Sequence, residues 1–508
     1  MPILGSLIKG LIEFRDSITT EPDPLEAQEK VLRNLLKKAR DTAFGKHYGF
    51  EEILESDDIR KSFSEKLPYF DYNRINEEWW HKYHQGEENV TWPGKPPYFA
   101  LSSGTTGKES KKIPVTDDMV EAIRQTGIKQ VGSLANYDLP SDFFEKEIMM
   151  LGSSTGLEEI EDHQEGEISE ISASNIPFWF RNFYKPGTEI AQIDEWDEKV
   201  QKIAEEARNW DIGAITGIPS WTELMLKKIL EFHKVDTIHE IWPNLRVYSS
   251  GGVAFGTYEK SFNELLAHPV IVIDTYLASE GFLAFQARPE TSAMKLVLDN
   301  GIYFEFVPFK PEYINEDGSL KPGAPALRLE DVKENEEYVL LISTVAGAWR
   351  YIIGDTIKFT DVERKEIEIT GRTKFFLNVV GEQLSVNKMT ETVQELEDKF
   401  GIKIPEFTIS VIKKDGSFYH KWYLGIEGEA DDKMLAEAID ESLKGNRSYR
   451  SARGKALKGV QVVSIPPDIF FEWNARNKKK GGQVKMEKVM TSEKFKDWED
   501  FVRMSLQN

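Results

Sequence analysis

The alternation of apolar and polar residues divides the first half of the chain into helices and strands that follow one another. Apolar residues recur at helical spacing in four stretches, 26–47, 117–132, 196–210 and 221–233. Short apolar runs between them predict strands at 98–101, 111–115, 149–152, 213–217, 245–252 and 270–276. The acidic stretch 158–170, which contains His163, is typical of a solvated loop. Strands that alternate with helices predict an α/β sheet, in which ligands bind at the carboxyl ends of the strands.

The pattern changes in the second half of the chain. Residues 301–370 are rich in strands and hairpin turns, which predicts a smaller β-subdomain. Beyond about residue 384 the spacing predicts helices at 388–400, 433–443 and 493–504 and strands at 407–412, 422–426 and 460–465. We therefore predict an α/β protein with a large N-terminal domain (1–377), a hinge (378–384) and a smaller α+β C-terminal domain (385–508).

Composition limits the binding partners and the cellular location that we expect for this protein. The chain has 508 residues and a formal net charge of −22, so nucleic acid and anionic membranes would be repelled. It has no cysteine, which excludes disulfides and thiolate metal sites. Residues 1–18 show helical spacing without the apolar core of a signal peptide, and no later segment reaches the length of a membrane span. We expect a cytoplasmic protein, and nothing in the sequence demands more than a monomer.

Residues 101–108 combine hydroxyls, glycines and one cation directly after a predicted strand. Glycines let backbone N–H groups turn toward an anion, and such nests bind phosphate. The loop is not a Walker A motif, because only two residues separate Gly104 from Gly107 and a strand follows instead of a helix. A glycine-rich hairpin would explain the glycines alone, but the density of Ser, Thr and Lys favours a nucleotide phosphate site.

Five further stretches carry candidate site residues. Residues 276–280 follow a buried strand, and 349–355 end a strand with Asp355 in a turn. The pairs 371–372 and 381–382 bracket the predicted domain junction. A basic, glycine-containing loop at 478–485 is typical of a solvated face, or of an arm that brings positive charge to a phosphate.

Together these motifs resemble those of the adenylate-forming superfamily of acyl-CoA synthetases, adenylation domains and luciferases. Ser-Ser-Gly-Thr-Thr-Gly-Lys at 102–108 is similar to its phosphate loop, 276–280 to its aromatic-Gly-x-Thr-Glu motif, and Gly354-Asp355 to its ribose-binding pair. Within that group the chain resembles the bacterial branch of the auxin-responsive acyl-acid amido synthetases. The motifs for this are at 41–50, 217–221, 376–382 and 482–485, where Val484 replaces an aromatic residue.

The resemblance implies which residues form the site. The phosphates of ATP would bind to the loop residues Ser102, Ser103, Gly104, Thr105, Thr106, Gly107 and Lys108. Gly251 and Gly252 would lie beside the adenine, with Tyr276 stacking on it or flanking it, and Ser279 belongs to the same nucleotide site. Asp355 would accept the ribose hydroxyls, and Arg372 would contact ribose or phosphate. Glu280 would help to hold Mg²⁺, and Lys485 would reach the reacting α-phosphate or carboxylate from the mobile C-terminal domain.

The implied activity is adenylation of a small carboxylic acid by ATP, followed by transfer of the acyl group to an amine, expected to be an amino acid. Two alternatives stay open. The first is an acyl- or aryl-CoA ligase that shares the adenylation step, and the second is a nucleotide-binding homologue without catalysis. Ordinary structural roles also remain for single residues: Lys485 stands near three other lysines, and Arg372 could be an interdomain ion-pair residue.

Overall fold

The structure is a computed structural model that describes most of the chain. The described residues are 9–10, 22–102, 111–151, 157–160, 162–175, 183–193, 195–251, 255–315, 318–373, 376–377, 384–414, 417–428, 430–453, 457–476 and 486–506. Of the helices within these ranges, none is both long and apolar enough to cross a membrane.

Strands β1 to β20 form four sheets in the described part of the chain. Their bounds are β1 Tyr98–Ser102, β2 Lys111–Val115, β3 Glu147–Leu151, β4 Glu158–Ile160, β5 His163–Gly166, β6 Tyr184–Lys185, β7 Ile212–Gly217, β8 Val247–Gly251, β9 Ile271–Ala278, β10 Gly281–Phe285, β11 Met294–Leu296, β12 Ile302–Pro308, β13 Glu337–Thr344, β14 Tyr351–Asp361, β15 Glu366–Arg372, β16 Phe376–Leu377, β17 Leu384–Ser385, β18 Glu406–Lys414, β19 Ser417–Gly425 and β20 Leu457–Ile465.

The α-helices pack on both faces of these sheets. Their bounds are Pro24–Ala39, Ala43–His47, Phe50–Leu54, Ile59–Lys66, Tyr72–Ile75, His81–His84, Asp117–Ser133, Ile168–Ser174, Thr188–Ala191, Trp196–Glu206, Pro219–His233, Glu259–Asn263, Val386–Phe400, Asp432–Leu443, Arg447–Arg453, Asp468–Arg476 and Ser492–Ser505. A π-helical turn, Asn76–Trp80, joins two of the short helices. Polar caps fix the ends of several helices: the Thr116 hydroxyl, for example, accepts a hydrogen bond from the Met119 N–H at the start of Asp117–Ser133.

The largest sheet has eleven strands in the order β12-β13-β14-β15-β11-β10-β9-β8-β7-β3-β6. Strands β6, β3, β7, β8 and β9 are parallel, and the sheet continues from β9 to β12 with antiparallel pairs. The Trp196–Glu206 and Pro219–His233 helices cover the parallel half and bury Ile203, Met225 and Leu226 against it. The change from parallel to antiparallel pairing therefore falls at β9, in the middle of this sheet. In α/β sheets, ligands bind at the carboxyl ends of the parallel strands, which here include β8 and β9.

Two smaller sheets complete the described structure outside the short β16–β17 pair. The sheet β2-β1-β5-β4 carries the strand that ends at Ser102. The Val386–Phe400 and Asp432–Leu443 helices pack against the sheet β18-β19-β20 and share one hydrophobic core with it. A second core around Trp498 joins that sheet to the last two helices. This arrangement is the α+β unit that the sequence predicts for the C-terminal part.

Most predicted elements are confirmed within two or three residues of their ends. The solvated loop predicted for 158–170 is wrong, because these residues form β4, β5 and the first turn of the Ile168–Ser174 helix. His163 is accordingly buried on β5 and not exposed in a loop. The predicted N-terminal helix lies outside the described residues apart from 9–10, and so does the hinge apart from Leu384.

Candidate active site

The side chains of three predicted nucleotide-binding residues, on β9, β14 and β15, come together although β10 and β11 lie between β9 and β15 in the sheet order. Asp355 on β14 and Arg372 on β15 are cross-strand partners in the antiparallel pair. The Arg372 Nε donates to Asp355 Oδ1 at 2.6 Å, and the Tyr276 hydroxyl on β9 donates to Asp355 Oδ2 at 2.5 Å. The carboxylate thus receives a charged and a neutral donor, one on each oxygen.

Charge and burial keep these donors protonated. The Asp355 carboxylate raises the pKa of Arg372 above its ordinary value. Burial and then the charge of Asp355 raise the pKa of Tyr276 well above its ordinary value. Near neutral pH the phenol is therefore a hydrogen-bond donor, and Asp355 is held in one orientation by two protein groups.

Glu280 lies beside this cluster in the tight connection between β9 and β10. Its exposure is only 8%. Burial raises the pKa of its carboxyl, the ammonium of Lys111 acts in the opposite direction, and Asp355 raises it further. Burial and the charge of Glu280 raise the pKa of the neighbouring Tyr351 hydroxyl well above its ordinary value. A desolvated carboxylate of this kind gains most from a cation that binds next to it.

Among the described residues, open space lies next to Gly354, the residue that precedes Asp355 on β14. Gly354 has φ +91°, a conformation that side chains rarely adopt, and a Cβ there would meet only Thr373 Oγ1, at 4.0 Å. The Thr373 N–H donates to the Gly354 carbonyl at 2.8 Å, while its buried hydroxyl has no hydrogen-bond partner within the described structure. A buried hydroxyl without a described partner, next to the open space at Gly354, fits a ligand that carries hydroxyls.

The end of β8 forms the far side of this region. Thr275 Oγ1 on β9 donates to the Ser250 carbonyl at 2.8 Å. A Cβ on Gly251 would come within 3.1 Å of this Thr275 Oγ1. Asp274 accepts from the Phe255 backbone N–H, and burial raises the pKa of its carboxyl to about 6. Asp274 therefore holds the backbone of Phe255 in place, three residues beyond the predicted adenine-side Gly252.

Several predicted site residues lie outside the described residues. These are Ser103, Gly104, Thr105, Thr106, Gly107, Lys108, Gly252 and Lys485. Ser102 is the last residue of β1, and nothing is described of its side chain. Gly251 ends β8, and Ser279 lies with Glu280 between β9 and β10.

Two local expectations need correction. Asp355 does not stand in a turn at the end of a strand, because β14 continues through it to Asp361 and the positive φ of Gly354 is absorbed within the strand. Arg372 is not an interdomain ion-pair residue in the described structure, since its carboxylate partner lies on the adjacent strand of the same sheet.

Sequence reasoning missed Lys111, Tyr351 and Thr373 as members of the site. Lys111 begins β2 directly after the glycine-rich loop, and that position was the available signal. Tyr351 and Thr373 carry no sequence signal, because they reach the site only through the pairing of β14 with its neighbours. Together the cluster offers a fixed carboxylate, a second desolvated carboxylate and two cations, a set suited to a polyanion with hydroxyls and a divalent cation.

Solved structures share this fold over almost the whole chain. The GH3.15 acyl acid amido synthetase superposes with a TM-score of 0.78 at 16% identity, covering 98% of this chain and 96% of that one. A 2-hydroxyisobutyryl-CoA ligase in the postadenylation state gives a TM-score of 0.59 at 12% identity, covering 94% and 92%. The predicted fold class is confirmed: the chain has the fold of the adenylate-forming enzymes.

Sequence models of the GH3 family match three segments of the chain. The N-terminal domain model covers residues 17–180, the central domain model 295–372 and the C-terminal domain model 385–494. The chain belongs to the GH3 family, as its motifs predict, while its place in a bacterial branch stays a prediction.

Curated relatives include two plant amido synthetases. The indole-3-acetic acid-amido synthetase GH3.4 of Arabidopsis thaliana is 21% identical over 94% of this chain and 90% of its own length. The jasmonoyl–L-amino acid synthetase JAR4 of Nicotiana attenuata is 24% identical over 89% and 88%.

Proposed function

We propose that this protein is an ATP-dependent, AMP-forming ligase that activates a small carboxylic acid and transfers the acyl group to an amino acid. The observation that carries the proposal is the Asp355–Arg372–Tyr276 cluster beside buried Glu280, in a chain of the GH3 family. Its plant relatives are named as amido synthetases that act on indole-3-acetic acid or jasmonate with amino acids.

The reaction has two steps that need alignment and charge stabilisation more than a protein nucleophile. In the first step an oxygen of the substrate carboxylate attacks the α-phosphorus of ATP, and pyrophosphate leaves. In the second step the amine nitrogen attacks the acyl carbon, AMP leaves, and the amine loses a proton. Because AMP is a much better leaving group than oxide, the first step makes the amide bond accessible.

The described residues have defined roles in this proposal. Asp355 accepts the ribose hydroxyls on the lone pairs that Arg372 and Tyr276 leave free, and the Thr373 hydroxyl adds a donor or acceptor there. Tyr276 holds Asp355 and flanks the adenine. Arg372 holds the Asp355 carboxylate through its Nε and supplies positive charge near the ribose or phosphate.

The loop Ser102 to Lys108 would hold the ATP phosphates, and Gly251 and Gly252 with Ser279 would complete the nucleotide site. Glu280 fits a Mg²⁺ ion because it is a desolvated oxygen ligand, and the ion would neutralise the charge of the phosphates. Lys485 would approach the reacting atoms from the C-terminal domain (385–508), which would rotate about the hinge 378–384 between the two steps. We place the large domain at 1–377.

The same proposal covers the setting of the enzyme. We propose a monomer in the cytoplasm whose partners are ATP, Mg²⁺, a carboxylic acid and an amino acid. The net charge of −22 is consistent with this, because nucleic acid and anionic membranes would repel the protein.

The first test measures pyrophosphate release with ATP, Mg²⁺ and a panel of small carboxylic acids. We expect Glu280→Gln to lower the rate by about 10²–10³-fold. The matched control is Glu368→Gln on β15, whose carboxylate pairs with Lys358, and its rate should equal that of the wild type. Background release across the whole panel would favour a nucleotide-binding homologue without catalysis.

The alternative of an acyl- or aryl-CoA ligase is favoured by the shared fold with the 2-hydroxyisobutyryl-CoA ligase. The acid that supports pyrophosphate release is therefore incubated with ATP and either coenzyme A or each amino acid, and the products are identified by mass spectrometry. An amide with at least one amino acid supports the main proposal, and turnover with coenzyme A alone refutes it.

A further inference from the structure

A cluster of metal-ligating side chains lies apart from the candidate active site. It consists of His84 at the end of the His81–His84 helix and of His163 and Glu165 on β5, and is called the His–His–Glu cluster below. One nitrogen or oxygen atom of each residue lies within 4.8 Å of the others. His163 Nε2 is 3.0 Å from Glu165 Oε1. Three ligands around one ion at about 2.0–2.2 Å each are about 3.4 Å apart, so the side chains must draw together by up to about 1.4 Å when an ion binds.

The cluster occupies one face of the sheet β2-β1-β5-β4. In the registers of this sheet Glu165 stands opposite Phe99, and Leu101 opposite Lys112. Successive residues of a strand point to opposite faces. Lys112 therefore faces the His–His–Glu cluster, whereas its neighbour Lys111 acts on Glu280 from the other face.

Two members of the cluster are deeply buried. The side chains of His163 and Glu165 are 7% and 6% exposed. A carboxylate removed from water needs a cation or several donors. In this structure Lys112 Nζ supplies the cation, 2.6 Å from Glu165 Oε1. Because the Lys112 side chain is 39% exposed, it can move into solvent without leaving a buried charge of its own.

The two carboxylate contacts of His163 allow its Nε2 to act as a metal ligand. Its Nε2 faces Glu165, and its Nδ1 lies 3.5 Å from Asp162 Oδ1. A neutral imidazole has one N–H and can donate to only one of these carboxylates. When Nδ1–H donates to Asp162, the Nε2 lone pair points at the carboxylate of Glu165, and a positive ion between the two removes the repulsion. A histidine oriented by a carboxylate on its far nitrogen is the usual arrangement behind a metal ligand.

His84 supplies the third ligand from the rim. Its ring packs in a tilted arrangement against that of Phe99, with centroids 4.5 Å apart, and its centroid lies 5.8 Å from that of His163.

We propose that His84, His163 and Glu165 bind one divalent first-row transition-metal ion of the zinc class. Two imidazoles and one carboxylate are ligands that such ions accept in tetrahedral sites with water as the fourth ligand, and they differ from the all-oxygen ligands that Mg²⁺ prefers. The ion replaces the Lys112 ammonium as the partner of Glu165. It joins the end of the His81–His84 helix to β5, next to the strand that ends at Ser102.

The test titrates tag-free protein with Zn²⁺ in calorimetry and with Co²⁺ in visible absorption, in excess Mg²⁺. We expect one saturable site with the absorption bands of tetrahedral Co²⁺. His84→Ala and Glu165→Gln should each weaken binding by at least about 10-fold, and Asp162→Asn by about 10–100-fold. Lys112→Gln should tighten binding by about 10-fold, because it removes the competing ammonium.

His81→Ala is the matched control. This histidine is on the same short helix, and its Nδ1 contacts the Asn76 carbonyl, so its loss should leave the affinity unchanged. Since His84 is exposed, His84→Ala should keep the melting temperature of the metal-free protein and lose only the rise that Zn²⁺ produces. The proposal is overturned if no saturable site is found, if His84→Ala binds as tightly as the wild type, or if His81→Ala weakens binding equally.

Discussion

Replacing Asp355 with asparagine removes one negative charge from the point where side chains of β9, β14 and β15 meet. The asparagine keeps the size of the side chain and one carbonyl acceptor. It loses the ionised oxygen that receives the Arg372 Nε or the Tyr276 hydroxyl. The Arg372 side chain is 43% exposed, so water can replace the lost partner and the protein should still fold.

The expected loss of nucleotide affinity follows from the hydrogen bonds. A bond from a ribose hydroxyl to a carboxylate contributes about 1.5–3 kcal/mol, and one to a neutral carbonyl about 0.5–1.5 kcal/mol. The exchange of one such bond therefore costs about 1–1.5 kcal/mol, which corresponds to an increase of about 5–13-fold in the dissociation constant for ATP.

Calorimetric titration with ATP, 2′-deoxy-ATP and 3′-deoxy-ATP separates the ribose contact from a general change of shape. The wild type should bind at least one deoxynucleotide more weakly than ATP by a similar factor. In Asp355→Asn that difference should shrink, because the hydroxyl and its acceptor form one pair in a double-mutant cycle. The control is Asp361→Asn at the far end of the same strand, where the carboxylate pairs with Arg364.

One result would refute this reasoning. If Asp355→Asn weakened ATP and both deoxynucleotides by the same factor, the carboxylate would act on the protein and not on the ribose. Unchanged ATP affinity would remove Asp355 from the nucleotide site altogether.

Three further predictions concern stability and are checked by urea unfolding. Burial raises the pKa of Asp274 to about 6, so the folded state holds this proton more tightly than the unfolded chain and loses stability as the pH rises through that value. Asp274→Asn should then raise the unfolding free energy at pH 7 by up to about 3 kcal/mol, and this gain should vanish below about pH 4. An equal gain at both pH values would contradict the prediction. Glu305→Gln should lower the unfolding free energy by about 3–5 kcal/mol, because the buried Arg350 loses its counter-charge. In the folded protein Arg350 donates to both Glu305 oxygens at 2.9 Å. Replacing both residues by apolar ones should recover most of the loss. Lys403→Gln removes an exposed ion pair to Glu264 and should change the unfolding free energy by less than about 1 kcal/mol, with the difference screened by salt.

Much of the fold was accessible from the sequence because its signals are local. The spacing of apolar residues and the Thr116 cap predict the Asp117–Ser133 helix, and apolar runs before glycine predict β7 and β8. The acidic stretch around His163 misled the same reasoning. Its charges are satisfied by Lys112 and Lys95 from other elements, a pairing that composition does not reveal.

The site divides in the same way. Glu280 and Asp355 follow from motifs, because the chemistry of phosphate and ribose requires certain residue types at fixed points in the chain. The motifs also point to Tyr276 and Arg372, but they do not show that both residues bond to Asp355. Arg372 reaches Asp355 through the register of β14 with β15, and Tyr276 reaches it from a third strand.

By itself the sequence determined the class of protein, most of the order of its elements and the residue types of the candidate nucleotide site. Only the tertiary structure decided which charges are desolvated and which donor faces which acceptor. Burial raises the pKa of Glu280, and strand pairing sets Arg372 against Asp355. The physical reason is that solvation and hydrogen-bond geometry depend on groups distant in the chain, whereas helix and strand patterns depend on near neighbours.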